Sequence, residues 1–329
     1  MFSTLLGPLP PDPDQPRAGD GPDAIDRRLD DVVALGAAGL ELVSDGEGPA
    51  GPDDDPAAVV GRWEAAAAAS GVPVKQVLLG PWSAARLTGS QPEATADRLR
   101  PTVLALAAAG CPFIEIAEPD ALSIQADPAH AALFAAAQQR LVDGTEGIHL
   151  SLALTGGNVD GAPAATFFDA PYASYAFDLI AGPDNWRLIV QAPADRGIIC
   201  GALGMAPDAD ETLEVLVWAA HYAASTNGRG LARVGLANAP TAGDADLLSR
   251  AAALRKLAIV AEASRIASIE SAEEMAGLLD PRAIDPRSAA SGRFAPAGRR
   301  GKTGGSGSAG RSRSSGPSGS SGPSGPSGG

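Results

Sequence analysis

Hydrophobic positions in this chain fall into short continuous runs, separated by longer stretches in which apolar residues recur every three to four positions. The runs are Thr4 to Leu6, Leu40 to Val43, Val74 to Leu79, Phe113 to Ile116, Ile148 to Leu154, Ala176 to Ile180, Ile198 to Leu203 and Leu231 to Leu236. Between them lie helical patterns over residues 25–35, 57–70, 92–109, 128–142, a start near Pro183, 209–225 and 244–269. Runs that are apolar on both faces suit strands of a covered parallel sheet. Strand-then-helix alternation, repeated eight times, predicts a (β/α)8 barrel of the α/β class. An open doubly wound sheet would place a G-x-G-x-x-G turn after its first strand. The segment Gly7-Pro8-Leu9-Pro10 is not one.

From about residue 285 the pattern stops. Residues 301–329 hold 11 Gly and 10 Ser, with Ser-Gly-Pro repeated near the end. Such a composition buries too little apolar surface to offset its chain entropy. The expected organisation is a barrel over residues 1–284 and a disordered tail over 285–329.

Charge narrows the partners. The net charge is −14, and residues 290–329 contain six basic and no acidic side chains, so residues 1–289 carry −20. A body that acidic repels phosphate backbones and anionic membranes. The expectation is a small-molecule substrate, with no nucleic acid and no membrane partner. The first residues lack a basic stretch and do not read as a signal peptide. Together with the absence of a run of about 20 apolar residues, this gives a cytoplasmic expectation. Two cysteines, Cys111 and Cys200, do not make a disulfide framework.

In a barrel, chemistry sits where strands end and βα loops begin. Ser44-Asp45-Gly46-Glu47 follows the second run, and carboxylates of Asp45 and Glu47 there could hold an amine, or form a solvated turn. Glu118 closes the run from Phe113 and is a candidate pocket carboxylate beside Asp120; Glu115 is expected to face the barrel wall or pair locally. Gly80 would let backbone approach a ligand, and Trp82 offers either a stacking surface or core. Gly156-Gly157-Asn158 is an anion-binding turn or a plain one. His130, His149 and His221 have no metal-ligand spacing.

These same segments resemble the C-terminal catalytic barrel of the cobalamin-independent methionine synthase family. Thr4-Leu5-Leu6-Gly7-Pro8-Leu9-Pro10 is similar to that family's T-x-x-G-S-x-P segment, and Gly39 to Glu47 to its segment ending in D-G-E. Gly80-Pro81 matches its G-P, and Ile114 to Leu122 is similar to I-Q-I-D-E-P-A-L. Lys256 to Ala263 is similar to its last helix.

The resemblance implies a barrel that moves a methyl group from methyltetrahydrofolate to a thiol such as homocysteine. Glu47 would inherit contact with the amino-acid substrate, and Glu118 the pocket position. The family's zinc ligands are not matched: Leu152 and Leu154 stand where its H-x-C pair falls, and the last-strand segment Leu236 to Pro240 has no cysteine. The expectation is therefore a divergent methyltransferase without zinc at that position, with a separate partner chain left open as the source of missing groups. A non-catalytic binding barrel is the alternative. Another is a metal-free lyase related to uroporphyrinogen decarboxylase, which calls for an inward arginine such as Arg62 or Arg86.

Overall fold

The computed structural model describes residues 1–10, 22–207, 209–240 and 248–280. The expected tail over 285–329, and the first residues of the helix read over 244–269, lie outside them.

Seven strands form one sheet: β1 (Phe2–Thr4), β2 (Gln76–Leu79), β3 (Ile114–Glu118), β4 (Leu150–Leu154), β5 (Ser174–Asp178), β6 (Gly197–Gly204) and β7 (Val234–Ala239). Their order is β1-β7-β6-β5-β4-β3-β2, and every pairing is parallel. The run Leu40 to Val43 does not form a full strand. Leu42 bridges to Thr4 and Val43 to Val74, both in parallel. Backbone bonds from Leu42 N–H to the Ser3 carbonyl (3.1 Å) and from Lys75 N–H to the Val43 carbonyl (2.8 Å) join the two sheet edges there. The result is the barrel the alternation predicts, with its second position reduced to two residues.

Helices occupy the connections. They include α1 (Pro22–Ala37), α2 (Pro56–Ala69), α3 (Pro81–Thr88), α4 (Pro92–Ala108) and α5 (Pro128–Val142). Then come α6 (Ala165–Phe168), α7 (Trp186–Gln191), α8 (Leu213–Ser225), α9 (Arg250–Ala267) and α10 (Ala272–Gly277). Their starts are written in the sequence. Asp55, Asp127 and Ser249 each accept a backbone N–H of the first turn, and Pro56 and Pro128 take the first helical position, where a missing N–H costs nothing. Helix α8 begins at Leu213, four residues later than the pattern predicts, and α3 replaces an expected loop.

Strand alternation sorts the core into two parts. Ile114, Ile116, Leu150, Leu152, Leu154, Tyr175 and Phe177 face the helices within the large outer cluster. Leu6, Leu42, Phe113, Ala153, Ala176, Ile199 and Ala237 make a smaller cluster with Phe2, the barrel interior. One interior row runs Ala117, Ala153, Ala176, Ile199, Gly235, Phe2 by register. Gly235 is required in it, since a Cβ there would sit 2.8 Å from the Phe2 ring.

Candidate functional site at the barrel mouth

The loop after the bridging pair carries Ser44, Asp45, Gly46 and Glu47. Gly46 has φ of 74°, and a Cβ on it would lie 2.9 Å from Asp31 of α1, so the turn depends on glycine twice over. Ser44 Oγ accepts the Gly46 N–H at 3.3 Å, and Asp45 Oδ1 accepts the Glu47 N–H at 3.2 Å. Burial pushes the Asp45 carboxyl above its ordinary range, against the opposing pull of the Glu47 amide and Arg28. Glu47 leans towards α1, with Oε1 4.0 Å from Arg28 Nε and part of its side chain exposed. Asp45 and Glu47 thus share one turn and one nearby cation, Arg28.

Glu118 ends β3 with the same parity as Ile114 and Ile116, and so faces the helices. It is fully buried. Its oxygens accept the backbone N–H groups of Trp82 (3.1 Å) and Ser83 (2.8 Å), the first turn of α3, and Gln138 Nε2 of α5 (2.6 Å). The Tyr172 hydroxyl donates to Gln138 behind it. Desolvation raises the carboxyl to about 7, more than these donors lower it. Gly80 belongs to the same contact: a Cβ there would stand 2.3 Å from the Glu118 carboxyl carbon. Gly80 therefore admits Glu118, where the sequence suggests room for a ligand. Trp82 is 3 % exposed. Its Nε1 donates to Ser123 Oγ (3.0 Å), and its ring packs against His130 and Phe134. It fills the space between α3 and α5.

Two loops at the mouth are latched together. Asp178, at the end of β5, accepts the amides of Ile180 (3.0 Å), Ala181 (2.9 Å) and Gly156 (3.4 Å). Its burial still raises its carboxyl. Asn158 receives the Asp184 N–H on Oδ1 (2.8 Å) and donates through Nδ2 to the Asp184 carboxylate (3.3 Å). Asn185 donates to the carbonyls of Gly157 and Asp178. The Gly156 turn, with φ of 87°, passes against the Pro119 carbonyl.

Sequence reading gave Glu115 a wall or pairing role but missed its partner at the centre of the barrel, Lys75. Lys75 and Glu115 meet there at 2.5 Å with side chains essentially sealed from solvent, and Lys75 Nζ also donates to the Leu5 carbonyl. The available signal was a lone lysine inside the apolar run Val74 to Leu79, opposite a glutamate whose strand neighbours are both isoleucine. Above the pair, inward-facing Leu79 and Ala117 are only partly buried, so the mouth opens down to them.

The residues do not fit the family zinc. Leu152 and Leu154 lie in the outer cluster, and so does Cys200. Among the described residues no group of three His, Cys, Asp or Glu comes together. Burial raises the Cys200 thiol to about 12 and also raises Cys111, the opposite of what a metal-binding thiolate needs. Neither candidate arginine is an interior side chain of the barrel, and Arg62 lies close enough to Asp45 to act on it. Arg62 lies 3.9 Å from Asp54, and Arg86 lies 3.2 Å from Asp120 and over the Trp82 ring.

Fold and mouth together define a (β/α)8-type α/β protein with acidic strand-end loops. Among solved structures, it is similar to a B12-independent methionine synthase from Shewanella sp. W3-18-1 in complex with selenomethionine. That match has a TM-score of 0.63 at 14% identity, covering 84% of this chain and 99% of the other. It is also similar to a methyltransferase from Methanosarcina mazei, with a TM-score of 0.52 at 13% identity, covering 80% and 94%. At such identity the likeness establishes the fold. No protein-family model and no curated protein matches the chain. Among the described residues no helix is long and apolar enough to cross a membrane.

Proposed function

We propose that the chain is a divergent methionine-synthase-like methyltransferase that binds an amino-acid-type acceptor at its mouth and works without the family zinc. The reading rests on one observation: the Ser44–Glu47 turn keeps a partly buried carboxylate, Asp45, just after the Leu42–Val43 bridge of a barrel similar to the methionine synthases. A partly buried carboxylate there suits a substrate ammonium. Methyltetrahydrofolate is the proposed methyl donor and a thiol the acceptor. The methyl passes from the folate nitrogen to sulfur, the C–N electron pair stays on that nitrogen, and the thiol proton is relayed to it through a mouth carboxylate, for which Asp45 is proposed. Glu47 assists from the neighbouring position. Glu118, Gly80, Trp82 and Asn158 support the mouth by holding α3 and the loops. The proposed setting is cytoplasmic, with a small-molecule substrate and no nucleic-acid or membrane partner.

The test combines metal analysis of the purified chain with thermal unfolding in homocysteine, methionine or methyltetrahydrofolate, and mass-spectrometric detection of methionine. Metal-free protein that forms methionine, and loses ligand stabilisation in Asp45→Asn, supports the reading. Stoichiometric zinc, or full ligand response in Asp45→Asn, refutes it. A second reading, a binding barrel without turnover, is favoured by the commitment of Glu118 and Asp178 to backbone amides. It predicts stabilisation by ligand and no methionine.

A further inference from the structure

All strands begin at the end of the barrel opposite the mouth, and a groove crosses that floor. It consists of two adjoining cavities, of about 430 Å³ and 250 Å³, that share His149 and Ala173. Those volumes suit a small organic ligand.

The groove has a platform and a charge. The His149 ring stacks on Phe113 with centroids 4.4 Å apart and 25° between planes, and Phe2 packs edge-on against Phe113. Ser174 Oγ lies 3.0 Å from His149 Nε2 and fixes the ring. Burial lowers the His149 pKa, so the imidazole is neutral at pH 7 and presents a flat, weakly polar surface. Ile148 and Pro171 add apolar wall. Arg196 lines the first cavity together with Glu146, and Arg233 lines the second together with Asp195. Asp195, which lines the second cavity, lies 3.5 Å from Arg196 Nε. Glu146 is the other acid facing the groove. A guanidinium beside an apolar, ring-stacked wall matches a planar group that ends in a carboxylate.

We propose that this floor groove is a second ligand site, separate from the mouth, that takes a small aromatic carboxylate. The ligand ring lies along the His149 wall and its carboxylate pairs with Arg196. The floor of a barrel ordinarily serves stability alone, and a groove open beside a stacked imidazole and a guanidinium departs from that.

The experiment titrates 1-naphthoate, with 1-naphthalenemethanol as the uncharged control, into the full chain while following histidine ring NMR signals; His149→Gln assigns the His149 signal. The expected result is a saturable His149 shift, weakened about tenfold for the alcohol and about tenfold in Arg196→Gln, with Asp45→Asn unaffected. Arg196→Lys keeps the charge but not the fork, and should fall between. Thermal unfolding of each variant separates lost binding from lost fold. The proposal is overturned by no saturable shift up to about 20 mM. Equal affinity for the alcohol, unchanged binding in a folded Arg196→Gln, or loss of binding in Asp45→Asn would overturn it too.

Discussion

Gly80 and Glu118 are a matched pair, and each explains the other. The carboxyl occupies the place of a Cβ at Gly80, so Gly80→Ala must push it off the α3 amides. The expected cost is about 2–3 kcal/mol, read from denaturant midpoints. Glu118 also makes stability pH-dependent. Its folded pKa, about 7, lies above the ordinary 4.5, so folding favours the protonated form. That contribution is present below about pH 4.5 and is lost as pH rises through 7. Wild type should therefore lose about 3 kcal/mol relative to Glu118→Gln across that window, measured by urea unfolding at stepped pH. A parallel pair of curves would refute it. The E-P segment announced an important glutamate, but not its direction. Direction follows from parity: Glu118 shares its face with Ile114 and Ile116, and Glu115 takes the interior. Trp82 was ambiguous for a different reason, because Gly-Pro reads as a turn and here opens a helix.

At the scale of elements, the Lys75–Glu115 pair ties β2 to β3, and through the Leu5 carbonyl to the segment after β1. Removing one partner strands a charge. Lys75→Met should cost about 3–5 kcal/mol, and Lys75→Met with Glu115→Leu should recover much of it, as thermal unfolding of both will show. Asp178 plays the corresponding part for loops. Asp178→Ala frees the amides of Gly156, Ile180 and Ala181, and should cost about 1–3 kcal/mol, with faster hydrogen exchange confined to the two mouth loops. Most strands and helices were legible, since apolar runs and Asp-Pro or Ser starts are local signals. The pairing of Lys75 with Glu115 was not, because it needs the register of two strands 40 residues apart.

For the molecule as a whole, eightfold alternation was enough to name the architecture, and the solved structures it is similar to agree. Function was less legible. The motifs carrying the resemblance recur at strand ends, yet the side chains of Glu118 and Trp82 turn outward from the interior. Both cysteines lie in the core, so a thiol reagent should modify Cys111 and Cys200 only as fast as the chain unfolds. Rapid labelling of native protein would contradict their burial.

The two-residue bridge at Leu42 and Val43 gives this ring a seam. Elsewhere neighbouring strands share three or more register pairs, but between β1 and β2 there are only the single bridges Thr4↔Leu42, Val43↔Val74 and Ala50↔Leu78, with the Lys75–Leu5 bond beside them. A hoop parts at its narrowest stave. Under mild heat the cylinder should unroll there into an open ribbon before the remaining staves separate, stripping Ala50 from the border of β2 and inviting edge-to-edge aggregation.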